Sequence, residues 1–204
     1  MKTTKKNLII TLLAISCTSY AQFSKAIAKP AEVVDAASDS TEMLLDNVLS
    51  LRAEKDNAAT AMALSKTVES IEKTSESYSG EFKDKLMGQV GNLKKMIPLV
   101  GSGSVKGDVL QKAVAMVKMA LGANKLSSLL GEKSLVGQTS ALSGNLGMMK
   151  SALSLMGGSS AASGGSLIST AMSTVNLLKT GGSAAEPKVR DSLGGVLTLA
   201  KGML

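Results

Sequence analysis

Apolar positions between residues 44 and 82 recur at spacings of three and four, the period of a helix that buries one narrow stripe. Leu44, Val48, Leu51, Ala58 and Met62 make a first run, and Leu64, Val68, Ile71, Tyr78 and Phe82 make a second in a shifted register. The first register does not persist: Lys55 falls on its seam, and Glu69 and Glu72 stand where it calls for apolar residues. A stripe this narrow needs a partner helix, and its broken heptads favour a helical hairpin or bundle over an extended coiled coil. Asp39, with Glu42 three residues later, is placed to cap the start of this arm, and Pro30 with Glu32 is an earlier start. Residues 77–80 predict a bend, followed by a helix over 81–96 that Pro98 ends.

Beyond residue 98 the pattern changes to shorter helical segments separated by Gly and Ser. Asp108 is placed to cap a helix through Leu121, with Leu110, Val114, Val117 and Leu121 on one stripe and Gly122 as its stop. Asn124 is a cap for a short helix ending at Gly131, and further helices are expected over 145–156, 166–179 and 187–203. The last is well patterned, with Val189, Leu193, Val196 and Ala200 on one side and Lys188, Arg190 and Lys201 on the other. The Gly/Ser stretches 157–165 and 181–183 have the composition of flexible connectors. They resemble each other, but the helix faces beside them do not, so the chain is not a clear repeat array. Alternating Val/Ile/Tyr runs bounded by turn residues are missing, which makes the class all-α. The expected architecture is a helical hairpin or bundle with a long N-terminal helical arm and a C-terminal set of Gly/Ser-linked helices.

Glycine sharpens the division. All 20 glycines of the 204 residues lie at or beyond Gly80, and each costs about 1 kcal/mol relative to Ala inside a helix. Three regions follow: a leader at 1–21, a charged helical region at 22–98, and a Gly/Ser/Met-rich helical region at 99–204. In the leader, Lys2, Lys5 and Lys6 precede an apolar run from Leu8 to Ile15, and Ser19 and Ala21 stand before a cut at Gln22. This is the pattern of a secretory signal peptide, too short to span a bilayer. Periplasm, cell surface and extracellular space are the expected destinations. Cys17 admits a second role, because Ala14-Ile15-Ser16-Cys17 loosely resembles a bacterial lipobox, with Ala14 in place of the usual Leu. Otherwise Cys17 leaves with the leader.

Charge is uneven along the chain. Residues 22–88 hold 12 acidic and 8 basic side chains, whereas residues 89–204 hold 4 acidic and 12 basic. A basic half suits an anionic lipid surface or an acidic polymer. Nucleic acid fits poorly, because only 2% of residues are aromatic and bases have little to stack on. Apart from Lys94-Lys95 the lysines are scattered singly, as on a solvated surface.

Between Ser134 and Leu178 the one charged residue is Lys150. Over 166–179, Ile168, Ala171, Met172, Val175 and Leu178 share one face, and Ser169, Thr170, Ser173, Thr174 and Asn176 share the other. An uncharged face of small polar residues predicts close packing on both sides. The stripe Ile168, Met172, Val175 and Leu178 is then either the centre of a bundle or a face that meets lipid or another subunit. Met116, Met119, Met148, Met149 and Met156 crowd the same half of the chain and predict a soft, adaptable core.

Little in the sequence points to catalysis. There is no His, so the commonest general base and metal ligand are both missing, and the single Cys lies in the leader. The acidic groups Asp35, Asp39, Glu42, Asp46 and Glu69, Glu72, Glu76 do not match a calcium loop. Gly101-Ser102-Gly103-Ser104-Val105-Lys106-Gly107 resembles a phosphate cradle, but it lacks the Gly-Lys-Ser/Thr ending and follows a helix, as an interhelical loop does. No catalytic, cofactor-binding or metal-binding residue is assigned, and no cofactor is expected. The expected role is an exported, non-catalytic helical protein that binds a protein partner or itself through uncharged helix faces. The alternative is an amphipathic helical protein that associates with lipid or membrane.

Overall fold

In the computed structural model, residues 32–204 are described. The expected leader at 1–21, Cys17 and the Pro30 start lie outside the described residues. Seven α-helices follow one another: α1 Glu32–Ala53, α2 Asn57–Ser75, α3 Glu81–Gly101, α4 Gly107–Leu130, α5 Thr139–Met156, α6 Gly158–Gly181 and α7 Glu186–Met203. A 3-10 turn, Gly182–Ala185, joins the last two. No strand occurs among the described residues, so the protein is all-α.

The shift of apolar register seen in the sequence is a physical break. The amide of Asp56 donates to the Leu51 carbonyl and that of Lys55 to the Arg52 carbonyl, the paired closure that ends a helix on a left-handed residue. Lys55 takes that position with φ 62°. Asp56 then caps α2, its carboxylate accepting from the Ala59 amide at 2.9 Å. The cap expected at Asp39 is therefore corrected: Asp39 lies inside α1, and Asp56 starts the next helix. The bend at 77–80 occurs as expected, between α2 and α3.

Three other boundaries differ. Helix α3 does not end at Pro98 but runs on to Gly101. A proline there costs one backbone hydrogen bond, and buried Val100 anchors the final turn. Helix α4 does not stop at Gly122 but continues to Leu130, leaving Asn124 in its interior. Gly122 is a contact: a Cβ there would lie 2.5 Å from Met149 Cγ and 3.2 Å from the Asn145 carbonyl of α5. The stretch 157–165 is not a flexible connector. The joint is confined to Gly157 and Gly158, at φ 68° and 82°, and α6 begins at once. Within it, Gly164 is buried, and an added Cβ would lie 2.8 Å from Leu153 Cδ1 and 2.9 Å from Leu199 Cδ2.

Helices α2 to α7 pack each against the next, and α7 returns to α4, so α4, α5, α6 and α7 form a closed four-helix group. Residues 35–204 form one compact unit, and the boundary expected at 98–99 falls inside it, within α3. Helix α4 is the shared wall of two apolar cores. Its stripe Leu110, Val114, Val117 and Leu121 faces Leu45 and Val48 of α1, Leu64 and Ile71 of α2, and Leu86 and Val90 of α3. Its opposite stripe, Ala115, Met119, Ala123 and Leu126, faces Leu146 and Met149 of α5, Val175 of α6, and Leu193 and Val196 of α7. Residues 117–126 of α4 are consequently all buried.

The loop between α4 and α5 is stapled to the start of α7. Glu186 accepts from the Ser134 hydroxyl at 2.5 Å and from the Leu135 amide at 3.2 Å, while Arg190 donates to the carbonyls of Leu130 and Glu132. The Ser134 hydroxyl, the loop amides and the Arg190 charge hold the Glu186 carboxyl below the usual carboxylate range.

Three predictions rest on this packing. Gly122→Ala gains helix propensity of about 1 kcal/mol but overpacks against Met149, for a net loss of ~1–2 kcal/mol in urea denaturation. Gly91→Ala, where nothing lies within 4 Å of an added Cβ, stabilises by ~0.4–1 kcal/mol. Because folding depresses the Glu186 pKa, its contribution is present above the ordinary carboxylate range. It is lost as pH falls through the folded value. Stability measured from pH 7 down to about 3 should therefore drop more steeply for the wild type than for Glu186→Gln.

Candidate functional site

Polar chemistry concentrates where two helix corners meet. One corner is residues 54–56 between α1 and α2, and the other is residues 102–106 between α3 and α4. The second closes like the first: Ser104 donates to the Leu99 carbonyl and Gly103 to the Val100 carbonyl. Gly103 takes the left-handed position at φ 74°, and an added Cβ would lie 2.8 Å from Asn57 Nδ2. Only glycine allows the corners to approach this closely.

Arg52, in the last turn of α1, ties the corners together. Its guanidinium donates to Asn57 Oδ1 and to the carbonyl of Val105, whose side chain is buried. Both acceptors are neutral. Between the corners lies an open cleft of about 660 Å³. Leu49, Arg52 and Ala53 of α1 line it, with Lys55, Asn57, Gly103, Gly107, Gln111 and Leu155. That lining combines three aliphatic side chains, two cations, two carboxamides and two glycines, with no carboxylate. The N-terminus of α4 opens at Gly107 with no side chain capping it, so its positive dipole end adds to the two cations.

The wall formed by α1 is held by a second feature. Lys118 of α4 has no solvent exposure, and its Nζ lies 2.5 Å from Asp46 Oδ1 and 3.8 Å from Glu42 Oε1 on α1. The Asp46 side chain is 56% exposed, so the pair is buried at its cation and wet at its anion. Leu45 and Val48, on the same stretch of α1, are fully buried. Helix α1 is thus attached by Leu45 and Val48, by Leu49 and Leu51 packed beside them, by the Lys118 ion pairs and by the Arg52 clip.

Comparison of the chain with protein-family models, curated proteins and solved structures returns no match. The chemistry of the molecule itself is the basis for a role.

The stripe proposed from sequence as an interaction face is placed elsewhere. Ile168, Val175 and Leu178 are buried in the core between α5, α6 and α7, and Met172 packs half-buried at its edge. As an outward face it is corrected: the chain's own helices already cover it. In the acidic row on α2, Glu72 pairs to Lys94 of α3 at 2.9 Å and Glu69 accepts from Ser65 at 3.5 Å. Among the described residues no group of acidic side chains is arranged to hold a metal ion, and no helix is long and apolar enough to cross a membrane. The glycine-rich loop 101–107 is an interhelical corner, as its context implied, yet it contributes Gly103 and Gly107 to the cleft. Arg52 and Lys118 were not singled out by sequence. The signal for Lys118 was its position as the lone charge in the apolar run 113–123.

The ion pair makes a sharp prediction. Asp46→Asn removes the nearer of the two carboxylates on a fully buried ammonium and leaves Glu42 at 3.8 Å, so it should cost ~1–3 kcal/mol and speed proteolysis within α1. Adding Lys118→Met in the same chain should recover most of that loss, since a well-packed apolar replacement needs no counter-charge. Urea denaturation of the two single variants and the double variant measures both effects.

Proposed function

We propose that the protein is an exported, non-catalytic binding protein of the cell envelope or extracellular space, and that its ligand seats in the cleft between the two helix corners. The observation that carries this reading is the lining itself. Arg52 is fixed by two neutral acceptors, with carboxamides, glycine backbone and aliphatic walls converging on the same space. Fixed polar groups set among apolar side chains are what small-ligand sites are made of. The leader pattern at 1–21 supports export. The lack of His and of a mature Cys supports a binding rather than a catalytic role.

A second reading, self-association, has its own support on the outward side of α6. Ala162, Ser163, Ser166, Thr170, Ser173 and Asn176 are exposed and uncharged, beside Leu177 at 40% exposure. An uncharged surface of this length suits a second copy of the chain better than it suits water.

The two readings separate in one set of measurements on the secreted protein. Amide NMR spectra titrated with a panel of cationic, anionic and neutral small molecules should move the signals of Asn57, Gly103, Gly107 and Gln111 together. Sedimentation at rising concentration reports assembly. Shifts confined to the corners support the ligand reading. No shift there for any panel member, with a rise in mass that Ser166→Lys abolishes, would replace it with self-association.

A further inference from the structure

We propose that the ligand is an anionic amphiphile: a single alkyl chain carrying a carboxylate or a phosphate monoester, with the head group at Arg52 and Lys55 and the chain along Leu49, Ala53 and Leu155. This rests on the cleft being a ligand site, as argued above, and adds the chemistry of what enters it.

Charge decides the head group. Arg52 and Lys55 line the cleft, and neither lies within ion-pair distance of a described carboxylate. The acidic residues nearest in sequence are Glu54, Asp56 and Asp108, and none of them lines the space. Asp56 is already committed to capping α2 at the Ala59 amide. The guanidinium spends donors on two neutral oxygens, so its positive charge is positioned but not cancelled. A guanidinium carries five N–H donors in a planar fork, which leaves donors for a carboxylate or phosphate oxygen.

The walls decide the tail. Leu49 and Leu155 are half-buried and stand in the cleft with Ala53, an apolar surface that water covers at a cost. A small inorganic anion would leave that surface wet, and a neutral hydrocarbon would leave two cations unmatched. One molecule with both parts satisfies both. A volume of about 660 Å³ lies within the range of small-molecule sites.

Calorimetry on the secreted protein, below the critical micelle concentration of each probe, tests the assignment. The probes are decanoate, decyl phosphate, decanol, decyltrimethylammonium and inorganic phosphate. Decanoate or decyl phosphate should bind at least about tenfold more tightly than decanol, and the stronger of the two identifies the head group. Gln111→Glu, an isosteric change that places a carboxylate in the lining, should weaken binding about tenfold or more and leave thermal stability unchanged. Lys55→Gln should weaken it severalfold without disturbing the Arg52 clip. Equal binding of decanol and decanoate in the cleft, insensitive to Gln111→Glu, would overturn the anionic assignment while leaving the ligand site standing. Inorganic phosphate binding as tightly as decyl phosphate would overturn the role of the tail. Failure of every probe to bind would remove this proposal, and unmoved corner signals across the wider panel would remove the site as well.

Discussion

A helix with no side open to water has to find, inside the molecule, a partner for everything it carries. Helix α4 is in that position over residues 117–126, all of them buried. Its two apolar stripes are satisfied by two cores, one from α1, α2 and α3 and the other from α5, α6 and α7. Of the two lysines buried in this stretch, Lys118 and Lys125, Lys118 is met by carboxylates that α1 brings. The arrangement of the other helices follows from these demands, because a buried ammonium without a counter-charge is far costlier than an exposed one. Docking α1 to answer Lys118 also sets Leu49, Arg52 and Ala53 beside the α3–α4 corner, which is what creates the cleft.

The chain has two Phe, two Tyr and no Trp, so its cores cannot be filled by bulky rings. They are filled by bringing backbones together. Gly122 admits Met149 of α5, and Gly164 admits Leu153 and Leu199. On α6 the uncharged face satisfies its hydroxyls within the helix: Thr170 donates to the Ser166 carbonyl, Ser173 to that of Ser169 and Thr174 to that of Ala171. Internal bonding of this kind lets Thr174 be buried without an unmet donor, while Thr170 and Ser173 are exposed. The outward side of α6 is uncharged up to Lys179 in its last turn.

What the sequence made legible is the part governed by local periodicity. The all-α class, the bend at 77–80 and the inward set Val189, Leu193, Val196 and Ala200 all follow from spacing, and all four of these side chains are buried. What it hid depends on partners distant in the chain. Gly122 and Gly164 look like breakers because the helices that need their missing side chains are not visible locally. Asp39 and Asp56 are equivalent caps by composition, and the left-handed turn at Lys55 decides between them. Pro98 looks like a stop, but the burial of Val100 outweighs the lost hydrogen bond. By its spacing the stripe at Ile168 fits the centre of a bundle first and an outward face second, and α5 and α7 cover it. The cleft draws on α1, α2, α4, α5 and two loops, so no single segment announces it; the glycine-rich corner 101–107 was its one local trace.

Native-state hydrogen exchange under increasing denaturant tests the central role of α4 most directly. If α4 is the wall on which both cores depend, its amides from 117 to 126 exchange only through global unfolding, with one common free energy and the full denaturant dependence of the whole protein. Contradiction would be exchange of those amides through a smaller opening, or separate unfolding of the α1–α3 and α5–α7 sides with α4 still protected in one of them.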